Sequence, residues 1–203
     1  MTTPTIACVI IAHEARRDTA LQQTLPSVLN EGFDEVVLVG DWHDQPRFLS
    51  PMRYICVDPV TRGVRDALPK RDIGTLATTS DIIVYINDDH ALASQFGRNL
   101  RGVLAEPWDV IVPNRYTVRN GQHIPLNNGE AHRYCGGHAG IYRRHTAIQP
   151  WTHYAHQPSW ITWDVTASLA QQLAGARFCW SPSAGIAIED LFPDDPRHLL
   201  ETR

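Results

Sequence analysis

Apolar positions follow two alternating rhythms along this chain. Short, unbroken, β-branched runs read as strands buried on both faces: Ile6 to Ala12, Glu35 to Val39, Arg53 to Val57, Ile82 to Ile86 and Asp109 to Val112. Between them, apolar residues recur at helical spacing. Leu21, Leu25, Val28 and Leu29 follow Asp18, which is placed to cap a helix that Pro26 would kink or divide. Leu68, Ile73, Leu76 and Ala77 mark a helix within Arg65 to Thr78, with Pro69 in its first turn. Phe96, Leu100, Val103 and Leu104 mark another within Ser94 to Leu104, and Val165, Leu169 and Leu173 a last one within Trp163 to Ala174. Strands and helices alternating in this order predict an α/β domain, Rossmann-like, with a mainly parallel sheet flanked by helices.

The rhythm is lost from Asn114 to Trp160, where Gly, Asn, His, Tyr and Trp accumulate and long binding loops are expected. Phe178 to Trp180 reads as a short edge strand, and the tail from Pro193 as loosely structured. With 203 residues, 43% of them hydrophobic, the chain can bury one core, so a single domain over 1–203 is expected. The net charge of −4, with both signs interspersed, leaves no basic stripe for a nucleic-acid backbone. Cys8, Cys56, Cys135 and Cys179 are widely spaced, as suits reduced thiols in a cytoplasmic protein. No apolar run approaches the length of a transmembrane segment, and no signal-peptide pattern is expected at the N-terminus.

Candidate chemistry concentrates at Asn87-Asp88-Asp89-His90, directly after the apolar run Ile82 to Ile86. Adjacent carboxylates raise each other's pKa, and both stay ionised only beside a cation. A divalent ion that also holds a diphosphate meets that need, since Mg²⁺ and Mn²⁺ are commonly bound by one or two carboxylates plus substrate phosphates. The end of a strand is also where open α/β sheets collect ligands. A solvated turn or a helix cap is the alternative, though a cap accounts for only one acid.

Four segments, in order, resemble a nucleotide-diphospho-sugar glycosyltransferase of the GT-A fold, of the family-2-like group. They are Ala7 to Glu14, Val36 to Asp41, Ile82 to His90, and the glycine-led run Cys135 to Arg144 that leads on to Trp163-Asp164. Three features depart from that pattern. The acids are adjacent rather than separated, a single Asp164 stands where two acids often occur, and the downstream aromatic-basic signature is absent. The resemblance implies a donor half over 1–113 and an acceptor half over 114–203. It implies an enzyme that moves a sugar from a nucleotide diphosphate, a UDP- or GDP-sugar, to an acceptor hydroxyl, with inversion and with Mn²⁺ or Mg²⁺ as cofactor. The acceptor class (glycan, protein, small molecule or modified nucleic-acid base) stays open.

Residue roles follow from the same resemblance. Asp89 would bind the metal, with Asp88 on the metal or the ribose and His198 as a third ligand. Ala12, His13, Glu14 and Asp41 would border the base and ribose, and Arg71, beside Lys70, would approach the nucleotide. Asp41 reads equally as an exposed turn acid, and Arg71 as part of a solvated basic face. Asp164 would be the general base, with Glu130 as its rival, although an Asp at a helix start is also an ordinary partner of the helix dipole. Gly136, Gly137, His138 and Trp163 would line the acceptor side. A nucleotidyltransferase of similar fold lacks its glycine-rich first loop here, since His13-Glu14-Ala15-Arg16-Arg17 holds no glycine. A non-catalytic sugar-nucleotide or glycan-binding module is the remaining alternative.

Overall fold

The computed structural model describes residues 3–44, 52–58, 67–126, 139–147, 150–154, 163–180 and 185–192. In chain order the strands are β1 (Ile6–Ile11), β2 (Glu35–Gly40), β3 (Met52–Cys56), β4 (Ile82–Asn87), β5 (His90–Leu92), β6 (Val110–Val112), β7 (Asn114–Arg119), β8 (Gln122–Leu126), β9 (Ala139–Arg143), β10 (Phe178–Trp180) and β11 (Ala187–Asp190). The α-helices are α1 (Arg17–Thr19), α2 (Leu25–Leu29), α3 (Ala67–Ala77), α4 (Phe96–Gly102), α5 (Arg144–Ala147) and α6 (Trp163–Leu173).

Seven strands form the main sheet in the order β10-β6-β9-β4-β1-β2-β3. Strands β3, β2, β1 and β4 run parallel, and β9 alone is reversed, antiparallel to both β4 and β6. The mainly parallel α/β architecture expected from the apolar rhythm is therefore present. Its continuous apolar runs reflect burial on both faces. Ile6, Cys8 and Ile10 of β1 face a core with Leu25 and Val28 of α2 and Phe96 and Leu100 of α4. Val9 and Ile11 face a second core with Leu68 of α3, Trp151 and Ala167 of α6. Each such side chain contributes roughly 1.5–3 kcal/mol by leaving water.

Three expectations needed correction. The segment after β1 is not one helix capped by Asp18. It passes from a 3₁₀ turn (Glu14–Arg16) through α1 and a π segment (Ala20–Thr24) into α2, and no side chain caps α1. Pro26 explains the irregularity, because it has no N–H to return to the preceding turn. Where it is described, the stretch from Asn114 holds regular strands. It holds the β7–β8 hairpin, whose Asn120 and Gly121 both take positive φ (52° and 74°), and β9, which sits inside the main sheet. The Asn-Gly pair is a hairpin signal that loop-like composition masked. Finally, β11 was unforeseen. It joins β5, β7 and β8 in a small second sheet that starts where the acid pair ends.

Gly74 sets how α3 lies on the sheet. A Cβ at this position would come within 2.2 Å of Val9 Cγ1, so the helix approaches β1 more closely than any other residue would allow. One helical turn earlier on the same side is Lys70, which is thereby carried to the carboxyl end of β1.

Candidate functional site

The carboxyl ends of β1, β2 and β4 meet at one polar corner. Asp88 and Asp89 form the turn between β4 and β5, and both are buried, at 0% and 4% exposure. Asp88 is tied to the neighbouring strand end. Its N–H donates to Ile11 O (3.0 Å), and its Oδ2 accepts from the His13 N–H (2.6 Å) and lies 3.2 Å from His13 Nδ1. Thr24, in the π segment, donates its hydroxyl to Asp88 O (3.1 Å). Asp89 Oδ1 lies 2.6 Å from His90 Nδ1, and its carbonyl accepts from Leu191 N, just past β11.

The cation that these acids need is supplied from inside the protein. Arg16 Nη1 donates to Asp89 Oδ2 and lies 3.5 Å from Asp88 Oδ1. The Arg16 guanidinium also sits 5.7 Å from the centre of the Phe192 ring. In the sequence, Arg16 was visible only as part of a polar loop. Five residues beyond the end of β1 is about the reach needed to fold back onto the neighbouring strand's acids.

A second polar knot lies at the β2 end. Asp41 Oδ1 accepts from Glu14 N (2.6 Å), while Asp41 Oδ2 is 3.4 Å from Lys70 Nζ. Lys70 is fully buried and donates to Ala12 O (2.8 Å). Beside this knot Trp42 stacks on Tyr54, with ring centroids 5.7 Å apart, and the Tyr54 hydroxyl donates to Trp42 O (2.6 Å). Burial pushes the Tyr54 phenol above its ordinary value.

The structure thus brings together Ala12, His13, Glu14, Asp41, Asp88 and Asp89. It takes Arg71 elsewhere. The Arg71 guanidinium lies over the rings of Tyr85 (4.9 Å) and Trp151 (5.4 Å), within the second core. Adjacent residues on a helix point in different directions, so of the two neighbours it is Lys70 that reaches the strand ends. Asp164 is buried in the first turn of α6, where its Oδ1 accepts from Val165 N (3.0 Å). Trp163 is the first residue of that helix. Glu130, Gly136, Gly137, His138 and His198 lie outside the described residues.

Among the described residues, no group of three or more His, Cys, Asp and Glu side chains could hold a metal ion. The acid pair offers two carboxylates, with the Arg16 guanidinium standing where a cation would. Hard oxygen donors of this number suit Mg²⁺ or Mn²⁺ when substrate phosphates complete the sphere. The donor set therefore fits such an ion once Arg16 gives way.

No protein-family model and no curated protein sequence matches the chain. Solved structures do. The backbone is similar to that of the mannosyltransferase PcManGT from Pyrobaculum calidifontis, determined in complex with GDP-Man and Mn²⁺, with a TM-score of 0.61 at 12% identity. The match covers 98% of this chain and 60% of the other, so this chain spans about three fifths of that protein's length. At this identity the likeness is one of fold, and it agrees with the GT-A-like α/β architecture expected from the sequence.

Proposed function

We propose that this protein is a glycosyltransferase that takes a sugar from a nucleotide diphosphate and passes it to an acceptor hydroxyl. One observation carries the reading. In a fold shared with a mannosyltransferase, two buried carboxylates close the corner where three parallel strands end, within one cluster with Asp41 and Lys70. Ligands of open α/β sheets gather at that end.

In this proposal Ala12, Glu14 and Asp41 border the base and ribose, with Lys70 holding Asp41 in place. Asp88, latched to the His13 N–H, keeps the β1 loop against the β4 turn and presents its carboxylate toward the ribose. Asp89 would hold Mn²⁺ or Mg²⁺, with Asp88 beside it and His198 as a third ligand. The ion, when bound, supplies Lewis-acid stabilisation to the departing diphosphate. Asp164 accepts the proton of the acceptor hydroxyl, and a base on the face opposite the leaving group gives inversion. Glu130 is the alternative base. Gly136, Gly137, His138 and Trp163 line the acceptor side, so that 1–113 serves the donor and 114–203 the acceptor. A GDP-sugar is the first donor to try, because the similar structure holds GDP-Man. UDP-sugars come next.

The test is calorimetry of GDP- and UDP-sugars with and without Mn²⁺, on the wild type, Asp89→Ala and Asp164→Asn. Metal-dependent binding should vanish in Asp89→Ala. Asp164→Asn should keep donor binding and lose turnover by about 10²–10⁴-fold. Metal-dependent binding that survives Asp89→Ala removes the assignment.

A further inference from the structure

One face of β3 ends in a thiol. Met52 and Tyr54 pack against the core that holds Trp42, and Cys56, two residues further on, continues their row. Strands β2 and β3 pair in parallel with Gly40 beside Cys56, so the chain leaving β2 passes over that row. Trp42 stacks on Tyr54, and His43 comes next to Cys56, with Nδ1 3.9 Å from Sγ. On its other side His43 Nε2 lies 3.9 Å from Asp58 Oδ1. The imidazole therefore stands between a thiol and a carboxylate. With its hydrogen on Nε2, toward Asp58, it keeps a lone pair on Nδ1 for the thiol proton. All three residues are exposed. The other described cysteines differ. Cys8 is buried and Cys179 half-buried, and burial pushes both thiols up.

We propose that Cys56 is a modification site, a thiol that exchanges with low-molecular-weight disulfides with His43 as its base. The inference stands apart from the nucleotide-sugar reading. A nucleophile, a base within reach and a third group that orients the base form the arrangement that activates thiols, and its links are often long before a reactant arrives. In the step, His43 Nδ1 takes the thiol proton as Sγ attacks one sulfur of the incoming disulfide. The S–S bond of the reagent breaks, a new S–S bond forms to Cys56, and the leaving thiolate takes the proton from His43. Cys56 is oxidised, and half of the reagent is reduced to a thiol. The adduct stands beside Gly40, one residue before Asp41, at the carboxyl edge of the sheet. Burial denies Cys8 the same approach by a reagent.

The probe is dithiodipyridine, an uncharged disulfide whose released thiol is coloured. It is added at neutral pH to the folded wild type, Cys56→Ser, His43→Gln and Asp58→Asn. The urea-unfolded chain gives the rate of unassisted thiols. Peptide mass spectrometry identifies the modified cysteine, and thermal melts establish that each variant is folded. Cys56 of the wild type should react about tenfold faster than the unfolded-chain thiols, a modest share of what a positioned base supplies. His43→Gln should lose that gain, and Asp58→Asn should slow the reaction about threefold. Cys56→Ser should lack the fast phase, and a reducing thiol should reverse the label. A Cys56 that reacts no faster than the unfolded chain overturns the proposal, as does a His43→Gln protein that keeps the wild-type rate. A fast label on another cysteine overturns it too. Should His43→Gln fail to fold, Asp58→Asn carries the test, and an undiminished rate there has the same consequence.

Discussion

The two ends of the main sheet treat their acids differently. At the amino ends each acid is matched by its own local donors. Asp81, before β4, accepts from the Thr5 N–H (2.9 Å) and hydroxyl (3.0 Å). Asp34, before β2, accepts from Ile6 N (2.8 Å) and, at the surface, from Arg101 Nη2 (3.3 Å). Glu35 takes the N–H groups of Thr79 and Ser80 (2.9 and 2.8 Å) and both hydroxyls. Asp109, before β6, holds Arg177 through its N–H, Nε and Nη2 (2.9, 2.9 and 3.1 Å). These contacts staple strand starts to one another. At the carboxyl ends the acids crowd instead. Asp88 and Asp89 share Arg16, and Asp41 draws on Lys70, which also serves Ala12. Acids held by donors at the strand starts are explained by architecture alone. Acids that share their cations, buried where ligands collect, call for something more.

The sharpest way to break that contrast is to neutralise one acid at each end. Asp89→Asn should lower glycosyl transfer by about 10²–10³-fold, the range for removing one electrostatic contact to a reacting group. Its melting temperature should change little. Asp109→Asn should do the reverse, with turnover unchanged and the melting temperature lowered by several degrees. Equal activity losses in the two variants would show that the acid turn is one more structural staple.

Much of this was legible in the chain because strand ends are legible. A continuous apolar run fixes where a strand stops, and the residue types on either side follow: Asp81 before Ile82, Asp88 and Asp89 after Asn87. The general corner of the site came from the same reading. The partners did not, because they depend on directions that spacing leaves open. Arg71 and Lys70 are neighbours in sequence, and only the contact of Gly74 with Val9 shows which of them faces the strand ends. Arg16 reaches the acids across a turn whose path is set by an irregular helix, and no simple periodicity predicts that. The hairpin at Asn120-Gly121 was encoded plainly, but β11 is a four-residue strand whose pairing with β5 and β7 is decided wholly by tertiary contact.

The Gly74–Lys70 relation gives a second, smaller test of the carboxyl end. Lys70→Met removes the cation beside Asp41 while keeping most of the stem, and should weaken nucleotide binding about tenfold, or roughly 1.4 kcal/mol. Gly74→Ala should act in the same direction by a different route. The new methyl has no room against Val9, so the helix must move outward and carry Lys70 with it. A stability loss of about 1–3 kcal/mol is expected from the overpacking. Isothermal titration with GDP and UDP, set beside urea melts, separates the two routes. Nucleotide affinity that is unchanged in both variants would detach Lys70 from the site.

The smallest effect belongs to the amino end and is one of pH. The Thr5 N–H and hydroxyl hold the Asp81 carboxyl below its ordinary value. A lowered folded-state pKa means that the unfolded chain binds the proton more readily. The stabilisation is therefore complete above the ordinary carboxylate value, near about 3.9, and fades as the pH falls through the folded-state value. Asp81→Asn removes the charge and keeps the shape. Because the site is exposed and solvent screens it, the variant should be less stable by about 1 kcal/mol or less at neutral pH. That gap should close in urea melts as the pH falls below the ordinary carboxylate range and the wild-type carboxyl takes up its proton. Activity should not follow it at any pH. A turnover profile that tracked Asp81 would mean that the two ends of the sheet communicate, and the division of labour between staple and site would have to be redrawn.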